Sequence, residues 1–131
     1  MGEKYANFMD DIKNDLLESV SLAHKAGVSK DKIILDPGIG FGKSIEQNLV
    51  LINELSEIKR LGYPVLIGPS RKSFLGRILD LPVDERIEGT GAAISIGIAR
   101  GADIVRVHDV KQMVRIVRVA DALVRNDSKS R

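Results

Sequence analysis

The chain has 131 residues with 20 Lys plus Arg against 18 Asp plus Glu, a net charge of +2 that is too even to point to nucleic acid. Hydrophobic residues make up 44%, yet no apolar run approaches the roughly 20 residues that a membrane span needs, and 4% aromatics show no stacking pattern for single strands. Zero cysteines exclude a disulfide scaffold and any thiolate metal site, and two histidines leave no structural zinc set.

The opening residues Met1 to Tyr5 lack the apolar centre of a secretory signal. With the absence of cysteine, that makes the cytoplasm the expected location and membrane or nucleic-acid partners unexpected. Phe8, Ile12, Leu16, Val20 and Ala23 then recur at helical spacing and predict a helix over 7–26, stopped by Gly27. Lys32 to Asp36 is a β-branched run that reads as a buried parallel strand. Ile45, Leu49, Ile52, Leu55 and Ile58 predict a second helix, stopped by Gly62. Pro64 to Gly68 is the second predicted strand. A third helix over Thr90 to Arg100 stops at Gly101, and Asp103 to Val107 is the third strand. A fourth helix from Val110 to Arg125 carries Met113, Val117, Ala120 and Val124 on one face, and the polar tail 126–131 is expected to fray.

The predicted order is therefore one helix followed by three βα units, a single α/β domain over 1–131 with parallel strands. A closed eight-stranded βα barrel takes about 250 residues. Three strands form either a small open sheet or the last part of such a barrel.

Ligands of parallel α/β folds bind at the carboxyl ends of the strands, so the residues that follow each strand matter most. The first strand is followed by Asp36-Pro37-Gly38-Ile39-Gly40-Phe41-Gly42-Lys43-Ser44, the second by Gly68-Pro69-Ser70-Arg71-Lys72-Ser73-Phe74, and the third ends Arg106-Val107-His108-Asp109. The glycine stretch is not a Walker A loop, because Pro37 stands where that loop needs its first glycine. Three glycines in five residues carry a large ordering entropy, which favours close approach to a ligand over a plain turn. Asp36 can serve as a turn residue before proline, or its two oxygens can accept a pair of donors from a 2-amino-4-oxo ring. Ser70 to Ser73 can open a helix whose free N–H groups favour an anion, or form a solvated helix start. Arg106 and His108 share strand parity, so both side chains point one way, opposite to Val105 and Val107. His24 reads as a surface residue.

Together these three segments resemble the dihydropteroate synthase family in order and spacing, over the length of roughly the last half of a member. The resemblance implies the C-terminal part of a (β/α)8 TIM-type barrel: about three parallel strands and four helices, a partial pterin-binding barrel domain. It implies a transferase of folate biosynthesis that joins 6-hydroxymethyl-7,8-dihydropterin pyrophosphate to p-aminobenzoate. By that resemblance Asp36 and Lys72 hold the pterin, with Gly40 beside it, and Arg106 and His108 hold the pyrophosphate. Arg71, Ser73 and the helix start after them receive the aminobenzoate carboxylate near Phe41. Lys72, Arg106 and His108 are the expected catalytic groups. Mg2+ is implied on the pyrophosphate, but the Asn and the two covering loops that the family brings from its first strands have no counterpart in this chain.

The separate chain is accordingly expected to bind without turnover, and to self-associate or pair with the other half of the barrel, because open sheet edges invite pairing. A pterin-dependent methyltransferase portion shares the pterin-reading Asp but has no pyrophosphate to hold. A non-catalytic pterin-binding module is the alternative of a different class.

Overall fold

The computed structural model of the chain describes residues 6–125. Helix α1 (Ala6–Lys25) leads through a single 3-10 turn, Lys30–Lys32, to a strand segment at Leu35. Helices α2 (Ile45–Asn53) and α3 (Leu55–Lys59) precede strand β1 (Leu66–Ile67). Helices α4 (Ser73–Leu79) and α5 (Ile87–Ala99) follow it, then strand β2 (Ile104–Val105) and helix α6 (Val110–Val124). Leu35 pairs in parallel with Val65, and Leu66 and Ile67 pair in parallel with Ile104 and Val105. The three predicted strand regions thus lie side by side in chain order. Gly27, Gly62 and Gly101 each have a positive φ, as helix-ending glycines do.

Alternation builds the layers. Leu35, Val65 and Ile67 are buried against α2, α3, α4 and α5, in a cluster centred on Leu51, Leu55 and Ile58, all at 0% exposure. Each such side chain contributes about 1.5–3 kcal/mol relative to leaving it in water. A second cluster joins α5 to α6 through Ile94, Ile98, Met113 and Ala120, with Val105 and Val107 packed on it. Gly97 lets α5 lie directly on the sheet, since a Cβ there would stand 2.3 Å from Ile67 Cδ1. On the opposite face of the sheet, Ile34 and Ile104 are exposed.

Several expectations are corrected. The predicted 45–58 helix is two helices, broken at Glu54, and the Asn53 carbonyl beside the break accepts from the Arg100 guanidinium at 3.2 Å. A further short helix, α4, lies in the connection after β1, so the described residues hold six helices rather than four. The strands are shorter than the apolar runs, because the pairing consists of one ladder of two residue pairs and one single bridge, Leu35 to Val65. The third helix starts at Ile87, before Thr90, and Val124 is exposed rather than packed. The expected fraying of 126–131 lies outside the described residues.

Asp103 ties the sheet to its flanks. Its carboxylate accepts the Val65 N–H at 2.9 Å and the Lys59 ammonium at 2.7 Å, with Arg125 3.8 Å away. Burial pulls its pKa up, but the Lys59 and Val65 hydrogen bonds and the two cations outweigh burial and hold it below the usual carboxylate value. A depressed folded-state pKa stabilises fully above the unfolded value of about 3.9 and is lost as pH falls through the folded one. The urea midpoint should therefore drop below about pH 4. Asp103→Asn, with no carboxylate to protonate, should show a shallower drop; an identical acid limb in the variant would refute the assignment.

Candidate functional site

All three segments that follow the strands meet at one end of the sheet. In the first, Asp36 Oδ1 accepts the Gly38 N–H at 2.9 Å, and Oδ2 stands 3.9 Å from the Arg106 guanidinium. Asp36 thus closes a turn, and each oxygen retains lone-pair capacity for a further donor. Gly38, Gly40 and Gly42 all have positive φ, and the loop folds back on itself. Lys43 donates to the Gly38 and Phe41 carbonyls at 2.7 and 3.1 Å. Burial lowers the Lys43 pKa, against an opposing pull from Asp36.

Gly40 is the close-approach residue of this loop. At φ 87° it occupies a conformation that L side chains rarely adopt, and a Cβ would stand 2.7 Å from Lys72 Cδ. Lys72 crosses over that glycine and sets its ammonium 3.9 Å from the centroid of the Phe41 ring. Phe41 itself is exposed. A flat ring and a cation therefore stand together on the loop that begins with the Asp36 carboxylate.

Sequence reasoning overlooked the residue that shapes this loop. Asn48, on α2 and 2% exposed, accepts the Gly40 N–H through Oδ1 at 2.7 Å and donates to the Ser44 carbonyl at 3.0 Å. The signal was present, because Asn48 interrupts the apolar stripe Ile45, Ile52, Leu55 at a core-facing position. Ser44 and Gln47 add a reciprocal capping box at 3.1 and 2.9 Å, which sets where α2 begins.

In the second segment Arg71 has φ 59°, an uncommon backbone state for a non-glycine residue. Three groups hold it there. The fully buried Thr90 hydroxyl accepts the Arg71 N–H at 3.0 Å, and Arg86 donates to the Arg71 carbonyl at 2.9 Å. Asp109 takes the Arg71 guanidinium at 2.9 and 3.3 Å. The Arg71 hydrogen bond holds Asp109 below the usual carboxylate pKa, and the same bond raises Arg71. Arg71 thus engages Asp109 through Nε and Nη2, while Lys72 lies over the Phe41 ring. Helix α4 starts at Ser73, whose side chain is exposed.

In the third segment Val105 and Val107 pack against the helices, and Arg106 and His108 are exposed on the other side, as their parity predicts. The Arg106 guanidinium lies over Gly68, where a Cβ would meet it at 3.2 Å. His108 Nδ1 is 2.7 Å from the Ser70 hydroxyl, which also accepts the His108 N–H at 3.1 Å. The structure thus brings Asp36, Gly40, Phe41, Lys72, Arg106 and His108 to adjoining strand ends. Arg71 faces Asp109 at the rim, and Ser73 stands at the start of α4. His24, read as a surface residue, is exposed and within 2.9 Å of the Val28 carbonyl. The apolar grooves between α2, α4 and α5 and between α5 and α6 share no residue with this cluster.

Comparison with known proteins shows the family and the fold. The family model described as pterin binding enzyme matches residues 1–108. The chain is 53% identical over 120 residues to the dihydropteroate synthase of Bacillus subtilis, covering 92% of this chain and 42% of that protein. It is 56% identical over 123 residues to that of Clostridium beijerinckii, covering 93% and 46%. The structure of a dihydropteroate synthase from Coxiella burnetii in complex with pteroic acid superposes with a TM-score of 0.91 at 39% identity, over 94% of this chain and 46% of that one. The chain thus spans less than half the length of these relatives.

Proposed function

Since this chain belongs to the pterin-binding enzyme family, we propose that it carries the substrate-holding strand ends of a dihydropteroate synthase. The reaction joins 6-hydroxymethyl-7,8-dihydropterin pyrophosphate to p-aminobenzoate in folate biosynthesis. The observation that carries this reading is the convergence of Asp36, Lys72 over Phe41, Arg106 and His108 at one sheet end. The relatives named above, and a neighbour whose structure holds pteroic acid, support the same reading.

Each side chain then has a role that follows from its chemistry. The Asp36 carboxylate accepts the ring N–H and 2-amino protons of the pterin, which fixes both its identity and its orientation. The Lys72 ammonium reaches the oxo and ring-nitrogen edge. Arg106 and His108 hold the pyrophosphate. As the methylene carbon–oxygen bond breaks, its electron pair leaves with pyrophosphate, and the Arg106 guanidinium and the His108 N–H donor stabilise the growing negative charge. The amine nitrogen of p-aminobenzoate, seated near Phe41 with its carboxylate toward Ser73 and Arg71, attacks that carbon and releases a proton. Holding both substrates in line supplies the remaining rate advantage. The Mg2+ implied for the family finds no donor set among the described residues, where no three His, Asp or Glu converge. It would travel with the pyrophosphate.

Calorimetric titration of the chain with the dihydropterin pyrophosphate and Mg2+ tests this reading. Saturable binding, weakened when pyrophosphate is omitted from the ligand, is the expected result; absence of binding to a chain that circular dichroism shows folded would overturn it. Binding without turnover is expected of the chain alone, and turnover by it unaided would contradict that part.

Two coarser features fit the same proposal. No described helix is long and apolar enough to cross a membrane. Ile34 and Ile104, 52% and 38% exposed, leave an apolar strip on the open face of the sheet. Self-association, or pairing with the other half of a barrel, would cover it. Light scattering at micromolar concentration should show a species larger than a monomer; Ile34→Lys together with Ile104→Lys should shift it toward monomer. A wild-type chain that scatters as a monomer would refute self-association and leave the strip to the other half of a barrel.

A further inference from the structure

We propose that Ser70 is a positioning residue that holds His108 as the tautomer protonated on Nε2 and turns that N–H toward the anion. This rests on the reading of Arg106 and His108 as the pyrophosphate holders, and it assigns to Ser70 a task that the strand-end motif alone does not reveal.

The hydrogen bonds around the Ser70 hydroxyl decide the tautomer. Ser70 is 4% exposed, so its polar atoms cannot turn to bulk water. Its oxygen already accepts the backbone N–H of His108 at 3.1 Å. Its own proton needs an acceptor, and among the described residues the group in reach is His108 Nδ1, at 2.7 Å. If Nδ1 carried a proton, two donors would face each other and the buried hydroxyl proton would have no partner. Nδ1 is therefore the acceptor, and the neutral ring keeps its proton on Nε2.

The direction follows from the ring. With Nδ1 anchored to Ser70, the rigid imidazole turns Nε2 away from it, and the described residues provide Nε2 with no hydrogen-bond partner. His108 is exposed on the same side of the strand as Arg106. An Nε2–H and a guanidinium then face one opening, and both are donors. Two donors suit phosphate oxygens, whereas the other tautomer would present a lone pair to an anion. Ser70 also fixes the ring plane from two directions, through the backbone N–H and the side chain of the same residue, so His108 arrives pre-oriented.

His24 gives the experiment an internal contrast. Its Nδ1 lies 2.9 Å from the Val28 carbonyl, which can only accept, so His24 should carry its proton on Nδ1. With two histidines in the chain, nitrogen-15 spectra of histidine-labelled protein at a pH about two units above the ordinary imidazole pKa resolve both rings. His24→Gln assigns the signals.

The expected result is an Nε2–H ring for His108 and the opposite form for His24. In Ser70→Ala the Nδ1–H form of His108 should appear beside the first, and Ser70→Thr, which keeps a hydroxyl, should restore the wild-type pattern. Pyrophosphate affinity should fall roughly fivefold to tenfold in Ser70→Ala. A wild-type His108 protonated on Nδ1 overturns the proposal with no variant needed. An unchanged tautomer, or unchanged pyrophosphate affinity, in a folded Ser70→Ala chain overturns it as well. If the wild-type chain binds no pyrophosphate at all while His108 is the Nε2–H form, the anion role of His108 is what fails, and the tautomer assignment stands.

Discussion

Asp36→Asn should weaken dihydropterin binding by roughly 100-fold, on the order of 2–3 kcal/mol, while leaving the fold intact. The substitution changes one atom's chemistry. The carboxylate accepts at both oxygens, whereas the amide presents an NH2 group where one of those oxygens stood, and two donors then face each other. The turn survives, because the asparagine oxygen can still accept the Gly38 N–H that Asp36 Oδ1 holds at 2.9 Å. The lost attraction to Arg106 is small: the two groups are 3.9 Å apart, and their side chains are 40% and 62% exposed. Titration calorimetry beside circular dichroism separates the two effects. Equal affinity in a folded variant would remove Asp36 from the pterin site.

Asn48→Ala should cost about 2–4 kcal/mol, a large share of the 5–15 kcal/mol typical of a whole domain. Two bonds disappear with the amide, those to the Gly40 N–H at 2.7 Å and the Ser44 carbonyl at 3.0 Å. At 2% exposure no bulk water replaces them directly. The loop is then free to move off the path of Lys72, so pterin affinity should fall along with stability. Asn48→Asp is the sharper control. It keeps an acceptor for Gly40 but sets a buried carboxylate against the Ser44 carbonyl, and it should be at least as damaging. An unfolding free energy from urea titration within about 0.5 kcal/mol of wild type for Asn48→Ala would show that the glycine loop holds its shape without the amide.

Parity and punctuation made much of this molecule legible in advance. Val105 and Val107 alternate with Arg106 and His108, and a strand residue has only two faces on which to fall, so one observation placed all four. Gly27, Gly62 and Gly101 end their helices because a left-handed residue there costs glycine little. The break at Glu54 was not legible, since the apolar stripe runs straight through it. The Asn53 carbonyl beside it is taken by a guanidinium 47 residues away in the chain, and periodicity carries no record of such a partner. The short α4 was only half legible, because a charged Ser-Arg-Lys-Ser run suits a loop as well as a helix start.

The sequence by itself determined the parallel βα order, the strand-end segments and the family resemblance, because these depend on local spacing and residue type. Only the tertiary structure decided how those segments act on one another. Asn48 grips the Gly40 backbone, Thr90 and Arg86 hold Arg71 in its left-handed state, Asp109 engages the Arg71 guanidinium, and Ser70 anchors His108. Each of these is a hydrogen bond between groups that folding alone brings within 3.1 Å, and most join separate segments of the chain. The physical reason is that a buried polar atom takes whatever partner the packed chain sets beside it. Composition and spacing identify the atom, but the partner exists only once the strands and helices have closed around it.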